Sequence, residues 1–289
     1  MRSVYSRLYF ICDDSCNRWP RDRSRYNRRW MISGFSSHLH YVWLVAASLI
    51  AGVMNAMAGG GSFVSFPAML AMGVPPIQAN ATNTVAVWPG QLTSVATLRG
   101  DLRRDLLPVI CGASILGGVS GAVVLLHTRQ ITFLHLVPWL LLVASLLFGI
   151  SGPVSRWLRR RSTEPHMPRT PALVPLFFVL LPVCFYIGYF GAGAGFLIMS
   201  ALALFGVEEM HALNSLKVLA ACLSNLAAVV TFVFSGAVIW RYCLISMVFA
   251  AFGGYVGAQY ARRINANVLR TIVVATGCVT AGYFFWRNG

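Results

Sequence analysis

The two halves of this sequence repeat the same order of apolar runs and glycine-rich breaks, and this duplication limits the fold more than any other feature. Glycines interrupt a long apolar run at residues 59–61 and again at residues 188–195. Each break leads to a Gly-Val pair, Gly73-Val74 in the first half and Gly206-Val207 in the second, 133 positions apart. Repeated apolar segments with breaks at corresponding places are typical of membrane transport proteins, whose binding site lies at the breaks.

Composition places the chain among membrane proteins. Hydrophobic residues make up 57% of it and charged residues 11%, with a mean hydropathy of +0.67, which is outside the range of soluble domains. Eight apolar windows each have about the length of one bilayer crossing: 42–61, 80–98, 107–126, 133–150, 173–192, 212–234, 242–261 and 268–286. We therefore predict an all-α polytopic membrane protein of about eight transmembrane helices, in two homologous four-helix halves with glycine-broken helices.

The relation between the halves depends on the first break. Between Tyr41 and Gly73 the apolar character continues for more residues than one helix needs, which predicts a broken helix or a re-entrant hairpin. Four spans in each half would make the repeats parallel. A glycine segment that enters the membrane and returns would make them inverted, and the sequence is compatible with both.

Two polar segments divide the chain. Residues 1–40 form an arginine-rich arm that we expect to be disordered and cytoplasmic, and an alternative is that translation starts at Met31. Residues 151–171 carry prolines and an arginine cluster, and are predicted to be a cytoplasmic linker. The first transmembrane repeat then covers residues 41–150 and the second covers residues 172–289.

The positive charges predict the orientation. All of the 23 basic residues except Lys217 are arginine, and 18 arginines fall on the N-terminal side if eight spans alternate. By the positive-inside rule we expect a multi-pass protein of the cytoplasmic membrane with both termini in the cytoplasm. The arginines lie in short loops and the arm rather than in a folded soluble domain, so we expect no nucleic-acid partner. The expected partners are the lipid bilayer and a small anionic substrate, and the sequence is also compatible with a homo-oligomer.

Polar residues inside the apolar windows mark a candidate site, because they are costly to place in hydrocarbon. In the sixth window they fall on one helical face: Asn214, Lys217, Ala221, Ser224 and Asn225. Lys217 is the only lysine and lies about one turn into this window, where it would offer a fixed positive charge to an anion. The alternative is that Lys217 extends to the lipid headgroups and pairs with Glu208 or Glu209.

The second window carries a corresponding polar face: Asn80, Thr82, Asn83, Thr84 and Gln91. At the 133-residue offset, Thr84 aligns with Lys217 and Gln91 aligns with Ser224. Each amide has several donors and acceptors that must be satisfied when it is buried. We expect this face to bind substrate, with hydrogen bonding between helices as the alternative.

The glycine breaks complete the predicted site, since the N-terminus of a half-helix carries partial positive charge and exposed N–H groups. The predicted substrate-binding residues are Gly59, Gly60, Gly61, Ser62, Asn80, Thr82, Asn83, Thr84, Gln91, Gly191, Gly193, Gly195, Asn214, Ser215, Lys217, Ser224 and Asn225. Close helix packing is the alternative role of such glycines, and we expect it for the pairs Gly117/Gly121 and Gly253/Gly257.

No catalytic residue, metal or cofactor is predicted. Five of the seven cysteines lie within or at the edges of apolar windows, where they act as small hydrophobic residues. Cys12 and Cys16 have no histidine nearby to complete a metal site. A membrane-embedded enzyme would need paired acidic, histidine or cysteine side chains inside the spans, so we favour it less than a structural or assembly subunit without transport activity.

The sequence resembles the sulfite exporter TauE/SafE family. The resemblance rests on residues 51–63, 73–76 and 79–83, and on their repeats at 188–195 and 212–217. It covers about residues 40–287 and implies a duplicated eight-span bundle in the cytoplasmic membrane. It also implies a secondary transporter, or permease, that exports a small anion such as sulfite, an organosulfonate or an organic acid by alternating access.

Overall fold

A computed structural model describes residues 37–58, 60–98, 100, 102–161, 173–192, 195–205, 207, 209–260 and 266–288. The regular structure of these residues is helical, with ten α-helices and no strand. The helices are α1 Ser37–Ala58, α2 Ser62–Ala71, α3 Pro76–Leu98, α4 Leu107–His127, α5 Gln130–Arg161, α6 Leu173–Tyr189, α7 Gly195–Leu204, α8 Met210–Phe234, α9 Trp240–Tyr260 and α10 Ala266–Asn288. A short 3-10 helix, Arg104–Leu106, precedes α4.

Ten helices stand where the sequence predicted about eight. The two additional helices, α2 and α7, have ten residues each and follow the glycine breaks. At 1.5 Å per residue such a helix is about 15 Å long, half the thickness of a bilayer core. The segment predicted as a linker is helical up to Arg161, and its residues 162–171 lie outside the described residues, as do residues 1–36 of the arm.

The chain reverses its direction at the first break. Gly61 lies against α1, where a Cβ atom on Gly61 would collide with the carbonyl oxygen of Ala51 and lie 3.1 Å from Cβ of Asn55. In one continuous helix, residues 51 and 61 would be about 15 Å apart. Helix α2 therefore returns along α1, and a turn at Gly73, whose φ is +78°, leads into α3.

Two connections define the ends of the bundle: end I contains the α4–α5 turn at residues 128–129, and end II contains the α3–α4 connection. Helix α3 begins at end I, because the Ile77 N–H donates to Oε1 of Gln130 at 3.0 Å. The turn between α8 and α9 lies at the same end, because the Ile239 N–H donates to Oγ1 of Thr82 at 3.0 Å.

Helices α1 and α9 run in the same direction with their backbones in contact. The rings of Tyr41 and Tyr242, near the start of each helix, are 6.2 Å apart. Further along, a Cβ atom on Gly253 would collide with the carbonyl oxygen of Leu49, and one on Gly257 would lie 2.8 Å from Cα of Val53. Since α9 starts at end I, α1 starts there too.

Helices α4 and α6 make the same kind of contact. A Cβ atom on Gly117 would lie 2.6 Å from Cβ of Cys184, and one on Gly121 would collide with the carbonyl oxygen of Phe185. The packing role expected of Gly117/Gly121 and Gly253/Gly257 is thus confirmed. Because α4 starts at end II, the parallel helix α6 starts at end II as well.

Helices α5 and α10 are antiparallel. The rings of Trp139 and Phe285 are 5.0 Å apart, and a Cβ atom on Gly149 would lie 3.6 Å from Val274. All odd-numbered helices therefore run from end I to end II, and all even-numbered helices run back. The described chain begins and ends at end I.

The outer surface of the bundle is apolar. Along α5, the side chains of Leu136, Trp139 and Leu146 are exposed, whereas Phe133 and Leu141 are buried. Large exposed apolar side chains in such numbers are typical of a lipid-facing surface rather than a water-facing one. Within the described residues, two helical stretches, Arg104–His127 and His211–Phe234, are long and apolar enough to cross a bilayer.

Candidate functional site

The polar faces predicted on the second and sixth windows meet where α3 crosses α8. Nδ2 of Asn225 donates to Oε1 of Gln91 at 3.1 Å, and Nε1 of Trp88 donates to the Cys222 carbonyl at 3.2 Å. Gln91 and Asn225 each lie fifteen residues after the first residue of their helix. Because the two helices run in opposite directions, this contact lies in the interior of the bundle.

The first break is a compact and buried turn. Gly60 and Gly61 are both buried, and their carbonyl oxygens accept hydrogen bonds from the first N–H groups of α2. The Ser65 hydroxyl lies 2.5 Å from Oδ1 of Asn83 and 3.2 Å from the Gly61 carbonyl, so it ties the break to α3. Ser62 is half-buried at the start of α2, and the predicted site residue Gly59 lies outside the described residues.

The second break lies between α6 and α7, and its described residues differ in backbone conformation from those of the first. Gly191 has a φ of +80°, in the left-handed region, and α7 starts only at Gly195. The Tyr186 hydroxyl donates to the Ala192 carbonyl at 2.9 Å and holds the middle of the break. A Cβ atom on Gly191 would lie 3.6 Å from Oδ1 of Asn225, so this break faces the crossing of α3 and α8. Gly193 lies outside the described residues.

Lys217 lies beside the second break. Its Nζ donates to Oδ1 of Asn214 at 2.7 Å, and a Cβ atom on Gly195 would lie 3.4 Å from its Cδ. Both Lys217 and Asn214 are half-buried. Glu209, the residue before the first turn of α8, is exposed and lies eight residues before Lys217, about 12 Å along the helix axis. Glu208 lies outside the described residues. In the part of the chain that the structure describes, Lys217 is bonded to Asn214 and makes no ion pair.

Two residues of α3 connect the first half to the second. Nδ2 of Asn80 donates to the carbonyl of Tyr189, the last residue of α6, at 3.1 Å. Thr82 accepts the hydrogen bond from Ile239 described above. Both side chains are buried, so they hold the start of α3 against the second half.

Three of the predicted hydroxyl groups bond within their own helices. Thr84 donates to Asn80 O at 2.9 Å, Ser215 to Ala212 O at 2.9 Å and Ser224 to Ala220 O at 2.8 Å. Hydroxyls in helices commonly bond to the preceding turn in this way. The hydroxyl protons of these three residues are therefore bonded within α3 and α8. Contacts beyond the backbone of the same helix are made, by contrast, by Asn83, Gln91, Asn214, Lys217 and Asn225.

Sequence reasoning missed three residues that shape the site. Trp88 falls between Thr84 and Gln91 at helical spacing, so the periodicity of the polar face was a sufficient signal for it. Ser65 and Tyr186 stand alone in apolar segments without a repeated counterpart, and no sequence pattern marked them.

An aromatic cluster covers the second break on the side of end I. The rings of Phe66, Phe133 and Phe190 are all buried, with centroids 5.7 Å apart for Phe66 and Phe190 and 6.4 Å apart for Phe133 and Phe190. Tyr189 packs on Phe133 at 5.8 Å. The cluster joins α2, α5 and the end of α6, and it separates the break from end I.

Comparison with known proteins gives the family. The sequence model of the family described as sulfite exporter TauE/SafE matches residues 44–284. The "Probable membrane transporter protein ORF9" of a Sinorhizobium species is 30% identical over 243 residues, 83% of this chain and 90% of the relative. A "Probable membrane transporter protein" of Haemophilus influenzae is 26% identical over 250 residues, 85% and 94% of the two chains. The Escherichia coli protein YfcA, with the same description, is 24% identical over 254 residues, 85% and 89%.

No solved structure matches the chain. The family match covers nearly all of the described helices, including both breaks and the crossing of α3 and α8. This chain therefore belongs to the sulfite exporter TauE/SafE family of membrane transporters.

Proposed function

We propose that the protein is a secondary transporter that moves a small anion, such as sulfite, an organosulfonate or an organic acid, across the cytoplasmic membrane by alternating access. The observation that carries this proposal is the position of Lys217. Among the described residues of α1–α4 and α6–α8, Lys217 is the one charged side chain, and it lies beside a helix break, next to the crossing of α3 and α8. Ionisable residues inside membrane helices mark substrate pathways, and half-helix starts favour anions.

The order of the helices supports two inverted repeats. Helices α1–α5 and α6–α10 both begin with a longer helix, a break and a ten-residue helix. Helix α1 starts at end I and α6 at end II, because each copy has an odd number of helices. The contacts follow the same rule, since α1 packs on α9 and its counterpart α6 packs on α4. In transporters built this way, the substrate site lies at the interface between the repeats near the bilayer midplane.

Alternating access would then expose one site to each end in turn. In the described conformation, the aromatic cluster and the bond from Asn80 to the Tyr189 carbonyl close the site toward end I. Lys217 and Asn214 are half-buried, whereas Asn80 and Thr82 are buried. We infer that the anion reaches Lys217 from end II and that opening end I requires the aromatic cluster to separate.

The directions of the helices also change the assignment of the arginines. The described chain begins with α1 and ends with α10 at end I, whereas α3 and α5 end, and α4 and α6 begin, at end II. The described arginines at end II are Arg103, Arg104, Arg156, Arg159, Arg160, Arg161 and Arg270, against Arg129, Arg241 and Arg287 at end I. Counted over these loops and helix ends, and leaving out residues 1–36, whose eight arginines precede α1, the positive-inside rule leads us to propose that end II faces the cytoplasm. The start of α1 and the end of α10 then lie on the outer side of the cytoplasmic membrane, opposite to the placement expected from eight spans.

Reporter fusions at the C-terminus test this orientation. We expect alkaline phosphatase fused after Gly289 to be active and green fluorescent protein at the same place to be dark, since the former needs the outer compartment. Fusions made after Arg161 should give the reverse result and serve as the control. An inactive phosphatase with a bright fluorescent fusion at the C-terminus would show that end I is cytoplasmic.

Flux measurements test the transport function. We expect proteoliposomes with the purified protein to take up radiolabelled sulfite or a sulfonate faster than protein-free liposomes, and Lys217→Ala to lower this flux at least about tenfold, the equivalent of about 1.4 kcal/mol. Gly282→Ala is a matched control, because Gly282 is exposed and an added Cβ would meet nothing within 4 Å. Flux no higher than in protein-free liposomes for every small anion tested would overturn the proposal.

A further inference from the structure

We propose that the site accepts anions with a single negative charge and excludes dianions, with Lys217 as the residue that sets this limit. The inference rests on the proposed transport function and adds the charge of the substrate. It follows from how many charges surround the second break.

The helices that meet at the breaks contain one charged side chain. Helices α1, α2, α3, α6 and α7 contain no aspartate, glutamate, lysine or arginine, and α8 contains only Lys217. The same is true of α4, which packs on α6 and α8. A ligand between these helices therefore meets one formal positive charge.

The partners of Lys217 are neutral. Its Nζ is bonded to the amide oxygen of Asn214, and its aliphatic stem lies against Gly195. The ion pair that the structure describes elsewhere, Arg103 with Asp105, lies in the connection at end II. Within the described residues, no carboxylate is placed to cancel the ammonium charge.

Charge balance then decides which anion fits. A monoanion bound at Lys217 leaves the site with no net charge. A dianion leaves one uncompensated negative charge among apolar helices, and each unpaired charge in such surroundings costs several kcal/mol. Amide groups such as those of Gln91 and Asn225 donate hydrogen bonds to an anion but add no formal charge. Sulfonates with one acidic group, monocarboxylates and hydrogen sulfite meet this condition, whereas sulfate and the doubly charged form of sulfite do not.

Methanesulfonate and sulfate form a matched pair of probes. Both have a tetrahedral sulfur with oxygen atoms, and they differ by a methyl group in place of one charged oxygen. We expect radiolabelled methanesulfonate to enter proteoliposomes at least about 100-fold faster than sulfate at the same concentration and ionic strength. Sulfate taken up within tenfold of methanesulfonate would overturn the charge limit while leaving the transport function intact. If neither sulfite nor methanesulfonate enters the proteoliposomes faster than it enters protein-free liposomes, the proposed transport function itself is overturned.

One variant keeps the charge of the site and a second cancels it. Lys217→Arg keeps the positive charge, and we expect it to keep the preference for methanesulfonate. Asn214→Asp places a carboxylate next to Nζ of Lys217, which cancels the charge in the site, and we expect it to lower methanesulfonate uptake at least about tenfold. Unchanged uptake by Asn214→Asp would contradict the proposal.

A binding measurement separates recognition from translocation. We expect methanesulfonate to raise the unfolding temperature of the detergent-solubilised wild-type protein, because a ligand that binds the folded state stabilises it. Sulfate at equal ionic strength should raise it less, and Asn214→Asp should remove the difference. Equal stabilisation by both anions in the wild type would overturn the proposal, whatever the flux rates are.

Discussion

The two helix breaks occupy corresponding places in the chain but are built differently. At the first break, Gly60 and Gly61 are buried and the turn is bonded through Ser65 to α3. The second follows α6, turns at the positive φ of Gly191 and lies beside Lys217. Two breaks with the same place in the order of helices can thus have different surroundings. The first break is bonded to α3, while the second lies beside a charged side chain, which is why we place the proposed ligand at the second.

Substitution of the glycines that pack the helices beside each break should lower the stability of the fold more than any other change. The loss should be similar in both halves. A Cβ atom on Gly188 would collide with the backbone of Gly118, and one on Gly253 would collide with the backbone of Leu49. Because backbone atoms cannot move aside cheaply, we expect Gly188→Leu and Gly253→Leu each to destabilise the fold by about 3 kcal/mol or more. The yield of monodisperse protein after size-exclusion chromatography measures this.

Gly282→Leu is the matched control for both variants, since Gly282 is exposed and has open space around it. We expect wild-type yield from it. A normal yield from Gly188→Leu together with a low yield from Gly253→Leu would show that the contact between α4 and α6 tolerates a larger side chain than the contact between α1 and α9, against the expected similarity.

The glycines inside the two breaks should differ in which substitution destabilises the fold least. Gly191 needs its left-handed φ, which costs other residues about 1–2 kcal/mol and asparagine less. We therefore expect Gly191→Asn to be more stable than Gly191→Ala. Gly61 is limited by space instead, because any Cβ meets the Ala51 carbonyl, so Gly61→Asn should be no better than Gly61→Ala. Thermal unfolding of the four variants in detergent measures this order, and the same order at both positions would remove the distinction.

The hydrogen bond at the first break should matter for stability rather than for transport. Ser65→Ala leaves Oδ1 of Asn83 without its donor, and we expect a loss of about 1–3 kcal/mol in unfolding free energy. The Michaelis constant for the transported anion should stay within about twofold of the wild type, because Ser65 is not beside Lys217. A tenfold increase in that constant would place the ligand at the first break instead.

Substitution of charged residues away from both breaks should change the unfolding free energy least. In the connection at end II, the hydrogen bond from Arg103 lowers the pKa of the Asp105 carboxyl below its ordinary value of 3.8. A lowered pKa adds stability at neutral pH that is lost as the pH falls through the lowered value, hence below about 3.8. The pair is solvent-exposed, so we expect Asp105→Asn to change the unfolding free energy at pH 7 by less than about 0.5 kcal/mol. A larger loss would show that the connection is part of the core.

The sequence predicted the parts of this fold that depend on local pattern. Helical spacing placed Gln91 and Asn225 on polar faces, and short glycine intervals marked the packing surfaces of α4 and α9. The sequence predicted glycine breaks at both places but did not count α2 and α7 as separate helices, because a window of about 20 residues averages over a ten-residue helix and its break. The return of the chain at Gly61 was one of two alternatives, since hydropathy carries no information on direction.

The sequence also could not give the direction of individual side-chain groups. The proton of Thr84 bonds to its own helix while Asn80, one turn earlier, reaches the end of α6. Both residues are polar and share one helix, so their difference depends on rotamers and on neighbours brought close only by folding. The bond between Ser65 and Asn83 has the same origin.

The contact between α1 and α9 also determines when the fold can be completed during biosynthesis. Gly52 of α1 packs on the backbone of Ala250, almost 200 residues later in the chain. At translation rates of about 5–20 residues per second, the ribosome needs roughly 10–40 s to make this partner. During that interval the nascent first helix stays in the lipid with its glycine surface uncovered, and assembly is completed only when the ninth helix emerges.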